Sequence, residues 1–353
     1  MKILHTADIH LKNYGDERWE TLVSLLSIAR EQNVGAVVIS GDLFDKDLDA
    51  ENLRPNIRDV FSGNRFPVLI IPGNHDAQLM ADMYFGSDAV VISDLTEPYI
   101  IDDVAFYGLP FESMDEHRVL ERLHILKNHL SDETRNVLLY HGELLDVMFK
   151  QSDIGGESET GYMPVRLSYF TDLNIGYVLA GHFHTRFDVR RLPGGGYFIY
   201  SGSPVSITRR ETGQRKVNLF SVGEPPAEYP VDSPHYEELV HTFDPLDDSD
   251  PVRAIETKLD NIHPRARVLV TVNGYYNRNM VGTSEKEMAR QITSLVRSRG
   301  FDPPELTFRD IQHILEDDLF TAFMFKLDTY DLDTEKRQRI QEHAIRAMIE
   351  AKQ

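Results

Sequence analysis

Eight short apolar runs recur through the first two-thirds of the chain, and five of them stop at a block of Asp, Asn or His. The runs are Ile3–Thr6, Ala36–Ser40, Val68–Ile71, Val104–Leu109, Val137–Tyr140, Tyr177–Ala180, Tyr197–Ser201 and Val217–Val222. Each is short and rich in Val, Ile, Leu and Tyr, and most end at Gly, Pro or Asp, which is how a strand reads. Between the first two, Trp19, Leu22, Val23, Leu26 and Ala29 fall at helical spacing, and Met114–Leu130 is a second amphipathic candidate. Strands apolar on both faces, alternating with helices, predict an α/β fold whose sheets are covered by helices. The polar blocks then matter, because the C-terminal ends of strands in an open α/β sheet form the crevice where ligands bind.

Those blocks are "ADIH" (Asp8, His10), "GDLFD" (Asp42, Asp45), "GNHD" (Asn74, His75, Asp76), "YHGE" (His141) and "GHFH" (His182, His184). DxH and HxH each send two donors to one side, since strand side chains repeat with a period of two. Singly the blocks are weak: a strand-terminal Asp is often a turn former, and a lone histidine is more often hydrogen-bonded core. Five concordant blocks in order are a different matter. Their residue types are hard to borderline ligands suited to Mn²⁺, Fe²⁺ or Zn²⁺. The chain has no cysteine, so disulfides and thiolate sites are excluded and any metal must be held by oxygen and imidazole nitrogen. The other nine histidines, His5 among them, lie outside the blocks and read as core or surface residues.

At 353 residues there is room for about two domains. The stretch "PPAEYPVDSP" from Pro225 to Pro234 breaks the strand pattern and places a boundary there, because proline cannot feed a helix or a central strand. Beyond it, Val268–Val272 reads as a strand and Ser284–Arg299 as a helix with Ser284 at its N-cap. The acidic "DPLDDSDP" reads as a loop. Asp333–Ala351 is helical, with Ile340, Ala344, Ala347 and Met348 along one face, and is too polar to form a core alone. This divides the chain into 1–230, 231–310 and a helical segment at 311–353. No apolar run approaches the roughly 18 residues of a membrane span, and "MKILHTADIH" has no signal-peptide character, so a cytoplasmic protein without a membrane contact is expected.

The net charge of −20 argues against a protein coated in positive potential, but it does not exclude nucleic acid, whose binding depends on the local field. One stretch departs from it. Arg186, Arg190, Arg191, Arg209, Arg210, Arg215 and Lys216 face only Asp188 and Glu211 between residues 186 and 216. A solvated hairpin and a phosphate-backbone contact surface explain this stretch equally well. Gly194–Gly196 within it reads as a turn between strands, since no Gly-Lys-Ser/Thr follows.

The ordered set DxH, GDxxD, GNHD, H and GHxH resembles the calcineurin-like metallophosphoesterase superfamily. Within it, "HTADIHL", "GDLFD", "GNHD", "GLPF", "GHFH" and "YSGSP" followed by "RRE" look like the SbcD-type, Mre-like DNA repair nucleases. The resemblance implies a two-sheet sandwich flanked by helices, a smaller α/β capping domain over 231–310, and a C-terminal helical segment. It also implies a dinuclear centre. Asp8, His10, Asp42 and His184 would hold one divalent ion, and Asp42, Asn74, His141 and His182 the other, with Asp42 bridging. Mn²⁺ comes first for that site, with Fe²⁺, Zn²⁺ or Mg²⁺ as alternatives.

By the same resemblance His75 is not a ligand; it stands near the leaving group. Asp45 orients His75 by a hydrogen bond or, equally, caps a helix or sits in a surface loop. Many archaeal and eukaryotic members have His in place of Asp45, whereas bacterial-type members read as here. Asp76 reads as a loop-stabilising residue. The implied activity is a metal-dependent DNA exo/endonuclease in double-strand-break repair, in which a metal-activated hydroxide attacks the phosphodiester in line. Arg186, Arg190, Arg209 and Arg210 are the candidate DNA contacts. The alternative is a small-molecule phosphoesterase acting on cyclic nucleotides or nucleotide diphosphates. A phosphoprotein phosphatase is disfavoured because Lys46 and Asp47 follow Asp45 in place of Arg-Gly. Implied partners are DNA, an SbcC-type coiled-coil ABC ATPase docked on Asp333–Ala351, and a second copy packed through Glu51–Phe61.

Overall fold

The computed structural model describes residues 1–45, 50–77, 84–147, 162–245, 247 and 249–352; Lys46 and Asp47 lie outside these. The chain forms two compact units, Met1–Tyr236 and Glu237–Gln353.

In the first unit the strands in chain order are β1 (Lys2–Thr6), β2 (Ala36–Ser40), β3 (Val68–Ile71), β4 (Ala89–Val91), β5 (Tyr99–Ile101) and β6 (Val104–Leu109). They continue with β7 (Arg135–His141), β8 (Tyr177–Gly181), β9 (Asp188–Arg191), β10 (Tyr197–Tyr200), β11 (Lys216–Ser221) and β12 (Glu228–Pro230). One six-stranded sheet runs β12-β11-β1-β2-β3-β4 and the other β5-β6-β7-β8-β10-β9. β1 to β4 are mutually parallel, as are β6, β7, β8 and β10, while β5 and β9 close the second sheet antiparallel. Alternate residues face different layers. Leu4, Val37, Ile39, Val68 and Ile70 pack under the helices α1 (Glu17–Glu31) and α2 (Ala50–Val60). Ile3, Val38, Leu69, Ile71, Val137 and Leu139 fill the space between the sheets. Leu138, Tyr140 and Val178 pack under α3 (Glu116–Lys127). Burial on both faces is why these strands read as continuous apolar runs.

All eight runs are strands. The four strands with no such run, β4, β5, β9 and β12, are the four sheet edges, three or four residues long and partly exposed. β4 and β5 are apolar but only three residues long, β9 is mostly charged, and β12 carries Pro230, which an edge tolerates. The "PPAEYPVDSP" stretch is thus in part an edge strand of the first sheet. Along α1, Trp19, Leu22, Leu26 and Ala29 are buried as expected, but Val23 is 41% exposed and Leu25 takes its place. Asp16 caps this helix, its carboxylate accepting from the Arg18 and Trp19 amides.

β13 (His235–Phe243) begins two residues before the second unit, which continues with α4 (Pro251–Asp260), β14 (Ala266–Tyr276), α5 (Arg278–Val281), α6 (Glu285–Ser298) and β15 (Glu305–Asp310). Its sheet order is β13-β14-β15, with β14 and β15 parallel. Leu239, Ile255, Val270 and Ile292 lie in its core. Ser284 caps α6 through a bond from the Glu287 amide. α7 (Gln312–Leu315), α8 (Asp318–Leu327) and α9 (Thr334–Lys352) follow within the same unit. On α9 the buried centre is Ile345, flanked by Ala344, Met348 and Ile349, whereas Ala347 is exposed. No described helix is long and apolar enough to cross a membrane.

Candidate metal centre

Backbone pairing between the loops after β1 and β2 builds the floor of the site. The amides of Asp8, His10 and Leu11 donate to the carbonyls of Gly41, Asp42 and Leu43 at 3.1, 2.9 and 2.8 Å. This ladder continues past the strand ends with the chain bent: Asp8, His10 and Asp42 have φ of 55°, 51° and 50°, and His182 has 95°. Non-glycine residues in that region cost of order 1–3 kcal/mol each, and such strain gathers at functional sites. Gly41, at φ +91°, permits the turn, and a Cβ there would collide with the His141 ring.

All seven candidate ligands converge. Donor atoms of Asp8, His10, Asp42 and His184, all buried, lie within 4.8 Å of one another. His10 Nε2 faces His184 Nε2 at 3.3 Å, His184 Nε2 stands 3.6 Å from Asp8 Oδ1, and His10 Nε2 stands 3.7 Å from Asp42 Oδ2. On the other side, His141 Nε2 is 3.5 Å from Asp42 Oδ2 and 2.9 Å from Asn74 Oδ1, which is 3.2 Å from His182 Nδ1. Asp42 belongs to both groups. Its Oδ1 accepts from the His75 amide, but its buried Oδ2 has no hydrogen-bond partner. A desolvated carboxylate oxygen is costly unless positive charge faces it, whether protons on the surrounding imidazoles or metal cations. It becomes favourable once cations sit beside it, so the donor set fits two divalent ions.

Electrostatics agree. Burial pushes the His10 imidazole down to about 3, with Asp42 opposing, so it is neutral and its lone pair is available. Burial lowers His141 and His184 too, but Asp42 outweighs it for His141, raised to about 10, and Asp8 and Glu211 for His184, raised to about 9. Burial raises Asp8 to about 6. For Asp42, burial is outweighed by His141, His10 and His75, and its carboxyl lies well below the ordinary range. The site therefore holds protons on imidazoles where metal ions would replace them.

His75 stands at the rim, 13% exposed, with Nε2 3.9 Å from Asp42 Oδ2. Asp45 does not hydrogen-bond to it: Oδ1 is 3.9 Å from His75 Nδ1, an ion-pair distance, and Oδ2 accepts from Arg18 at 2.9 Å. Arg18 also donates to the His10 carbonyl, so one guanidinium ties the first two loops together. Nothing in the motif spacing marks this residue, because it comes from α1. Asp76 bridges two loops, accepting from the Gly73 amide at 2.7 Å and the Phe44 amide at 3.1 Å.

The basic stretch splits. Its first part is the β9–β10 hairpin, turning at Gly195, where Arg190 pairs with Asp188 and Arg191 lies over Tyr197. Arg186, Arg190, Arg209 and Arg210 are exposed. Arg215 is not available to a ligand: it is buried and donates to the carbonyls of His184, Thr185 and Ser203. Glu211 is also buried, with Oε1 3.5 Å from His184 Nδ1. In the sequence it closes the "RRE" block of the nuclease resemblance, but nothing there gives it a place at the centre.

A family model for calcineurin-like phosphoesterases matches residues 1–186, more than half of the chain. The chain belongs to the calcineurin-like phosphoesterase family. Among curated relatives of this phosphoesterase is the SbcD subunit of the SbcCD nuclease of Staphylococcus saprophyticus. It is 26% identical over 249 residues, covering 61% of this chain and 64% of that protein. Another is the "DNA double-strand break repair protein Mre11" of Saccharolobus solfataricus, 26% identical over 232 residues, covering 60% of this chain and 56% of that protein. The chain thus spans less than two-thirds of the length of either relative. A solved structure of a dimetal phosphatase from Danio rerio matches with a TM-score of 0.41 at 14% identity, covering 62% of this chain and 91% of that one.

Proposed function

We propose that this phosphoesterase is a metal-dependent phosphodiesterase that cleaves DNA. The observation that carries the metal-dependent diesterase reading is Asp42 Oδ2, buried and without a hydrogen-bond partner between two groups of donors. Asp8, His10, Asp42 and His184 would hold one ion and Asp42, Asn74, His141 and His182 the second, with Mn²⁺ the first choice. Two such ions lower the pKa of a water and neutralise the phosphate charge that repels an anionic nucleophile. The chain supplies the rest. His75, at the open rim, donates a proton to the departing oxygen, and Asp45, held by Arg18, adds negative charge on the far side of that ring. DNA is the preferred substrate because two curated relatives are a nuclease component and a DNA break-repair protein.

With a net charge of −20, unaided DNA affinity is low, and exposed Arg186, Arg190, Arg209 and Arg210 supply only local contacts. A coiled-coil ATPase supplies the remainder, bound through the C-terminal helices. There α8 and the residues just after it present Leu319, Phe325 and Tyr330 at 69, 79 and 55% exposure. A homodimer through α2 has to use that helix's polar outer face, since Leu53 and Ile57 are buried in its own core. Sedimentation of the Arg58→Glu variant tests this; an unchanged dimer rules the α2 contact out.

The deciding comparison is Mn²⁺-dependent hydrolysis of linear DNA, bis-(p-nitrophenyl) phosphate and the p-nitrophenyl mono-ester. Cleavage of DNA and the diester with poor mono-ester turnover is expected. Fast mono-ester turnover with DNA left intact replaces this reading with a small-molecule phosphoesterase.

A further inference from the structure

The chain between β10 and β11 crosses from one sheet to the other, and it lies wholly beyond residue 186, where the family match ends. Its core is two buried charged residues. The Glu211 carboxylate accepts from the Ile207 amide at 2.7 Å, the Thr208 amide at 3.2 Å and the Thr208 hydroxyl at 3.0 Å. Arg215 donates to the Ser203 carbonyl at 2.9 Å, the Thr185 carbonyl at 3.0 Å and the His184 carbonyl. So many bonds to one fully buried carboxylate fix its position, and they leave Oε1 facing His184 Nδ1 at 3.5 Å. That ring nitrogen is buried and has no hydrogen-bond partner, while Nε2 of the same ring looks into the candidate centre.

We infer that Glu211 is a positioning residue for His184: its carboxylate charge, 3.5 Å from Nδ1, favours the proton on that nitrogen, which orients the ring and leaves Nε2 to face Asp8 and His10 as the metal-binding nitrogen. An imidazole offers one lone pair at a time, and the bond made by one nitrogen decides which face of the ring can bind a cation. His141 has the same arrangement by other means, its Nδ1 bonded to the Ser40 carbonyl at 2.8 Å with Nε2 toward Asn74 and Asp42. The two histidines on opposite sides of Asp42 are thus each held from behind, one by a strand carbonyl and one by the crossover carboxylate. Because Glu211 touches His184 and not the second donor group, its influence is one-sided.

This inference rests on the two-ion reading, and the test separates the two. Mn²⁺ alone is titrated into the full chain, with free ion followed by electron paramagnetic resonance, for wild type, Glu211→Gln, Glu211→Asp and Thr208→Val. Wild type takes up two ions. Glu211→Gln retains one at wild-type strength and binds the other 10–100-fold more weakly, the usual size of an outer-partner effect. Glu211→Asp, which keeps the charge, recovers part of that loss. Thr208→Val removes one of the bonds that hold the Glu211 carboxylate; it weakens the same ion as Glu211→Gln, by less, and leaves the other within threefold. Equal weakening of both ions in Glu211→Gln, or none, overturns the inference while leaving the centre standing. Wild type that binds fewer than two ions overturns the two-ion reading and the inference with it. Should Glu211→Gln melt below the assay temperature, Glu211→Asp carries the same comparison, and equal weakening of both ions has the same meaning there.

Discussion

At the scale of single residues, the centre is defined by buried groups that need positive charge between them, supplied by imidazole protons or by metal ions. Asp42 Oδ2 and the facing nitrogens of His10 and His184 are the clearest cases. His75 differs because it sits at the rim and its ring leaves the donor atoms to others. His75→Gln is therefore expected to cut diester turnover by about 10²–10⁴-fold while two Mn²⁺ ions still bind. Loss of either ion in that variant would show it to be a ligand.

His5 is buried for another reason. It lies on β1 with 0% exposure, and burial takes its imidazole down to about 3, with the Ala180 carbonyl partly opposing. The native state keeps it neutral while the unfolded chain takes a proton below about 6.5. Its contribution is full above that value and is lost as pH falls toward 3, about 2 kcal/mol by pH 5. His5→Leu should therefore flatten the acid side of the stability profile in denaturant melts by about that amount. Parallel acid limbs would refute it.

At the scale of elements, the donors come from strand ends whose loops are zipped to one another. The "ADIHL" and "GDLFD" loops share four backbone bonds, Asp76 joins the "GNHD" loop to the second of these, and the His182 amide donates to both Asp8 oxygens at 3.0 and 3.1 Å. Gly41 is where this packing leaves no room. Gly41→Ala adds a methyl at φ +91° against His141, and we expect a stability loss of about 1–3 kcal/mol together with weaker Mn²⁺ binding. Unchanged melting and an unchanged metal titration would show that the loop can shift at little cost. Strand content was legible wherever a strand is buried on both faces. Edge strands were not, because β4 and β5 are only three residues long, β9 carries charge, and β12 carries charge and proline. The same reasoning explains α9, where the polar sequence left several possible faces and only packing against Ile311, Ile314 and Phe320 selects Ile345.

At the scale of the whole molecule, all seven donors, Arg18, His75 and Glu211 belong to the first unit. The second unit holds its own core, and its C-terminal helices add a smaller cluster. Metal chemistry and partner binding should therefore separate. A chain lacking Thr334–Gln353 is expected to keep Mn²⁺ binding and diester cleavage within twofold of the full chain, while its proposed association with a coiled-coil ATPase, left with only Leu319, Phe325 and Tyr330, is weakened. Undiminished pull-down of that ATPase by the truncated chain would place the docking surface elsewhere.

The amino-acid order by itself determined the strand runs, the polar blocks that end them and hence the donor set, because a strand's period of two and its length act over a few residues. The Asp45 contact was decided only in the folded chain, since Arg18 reaches it from a helix whose own sequence concerns capping and packing. Glu211 and Arg215 likewise read as scattered surface charges until the crossover between sheets buried them behind His184. Local pattern reports which side chains share a face. Which distant charge becomes another's partner depends on how desolvated groups find neighbours in three dimensions, and no spacing along the chain encodes that.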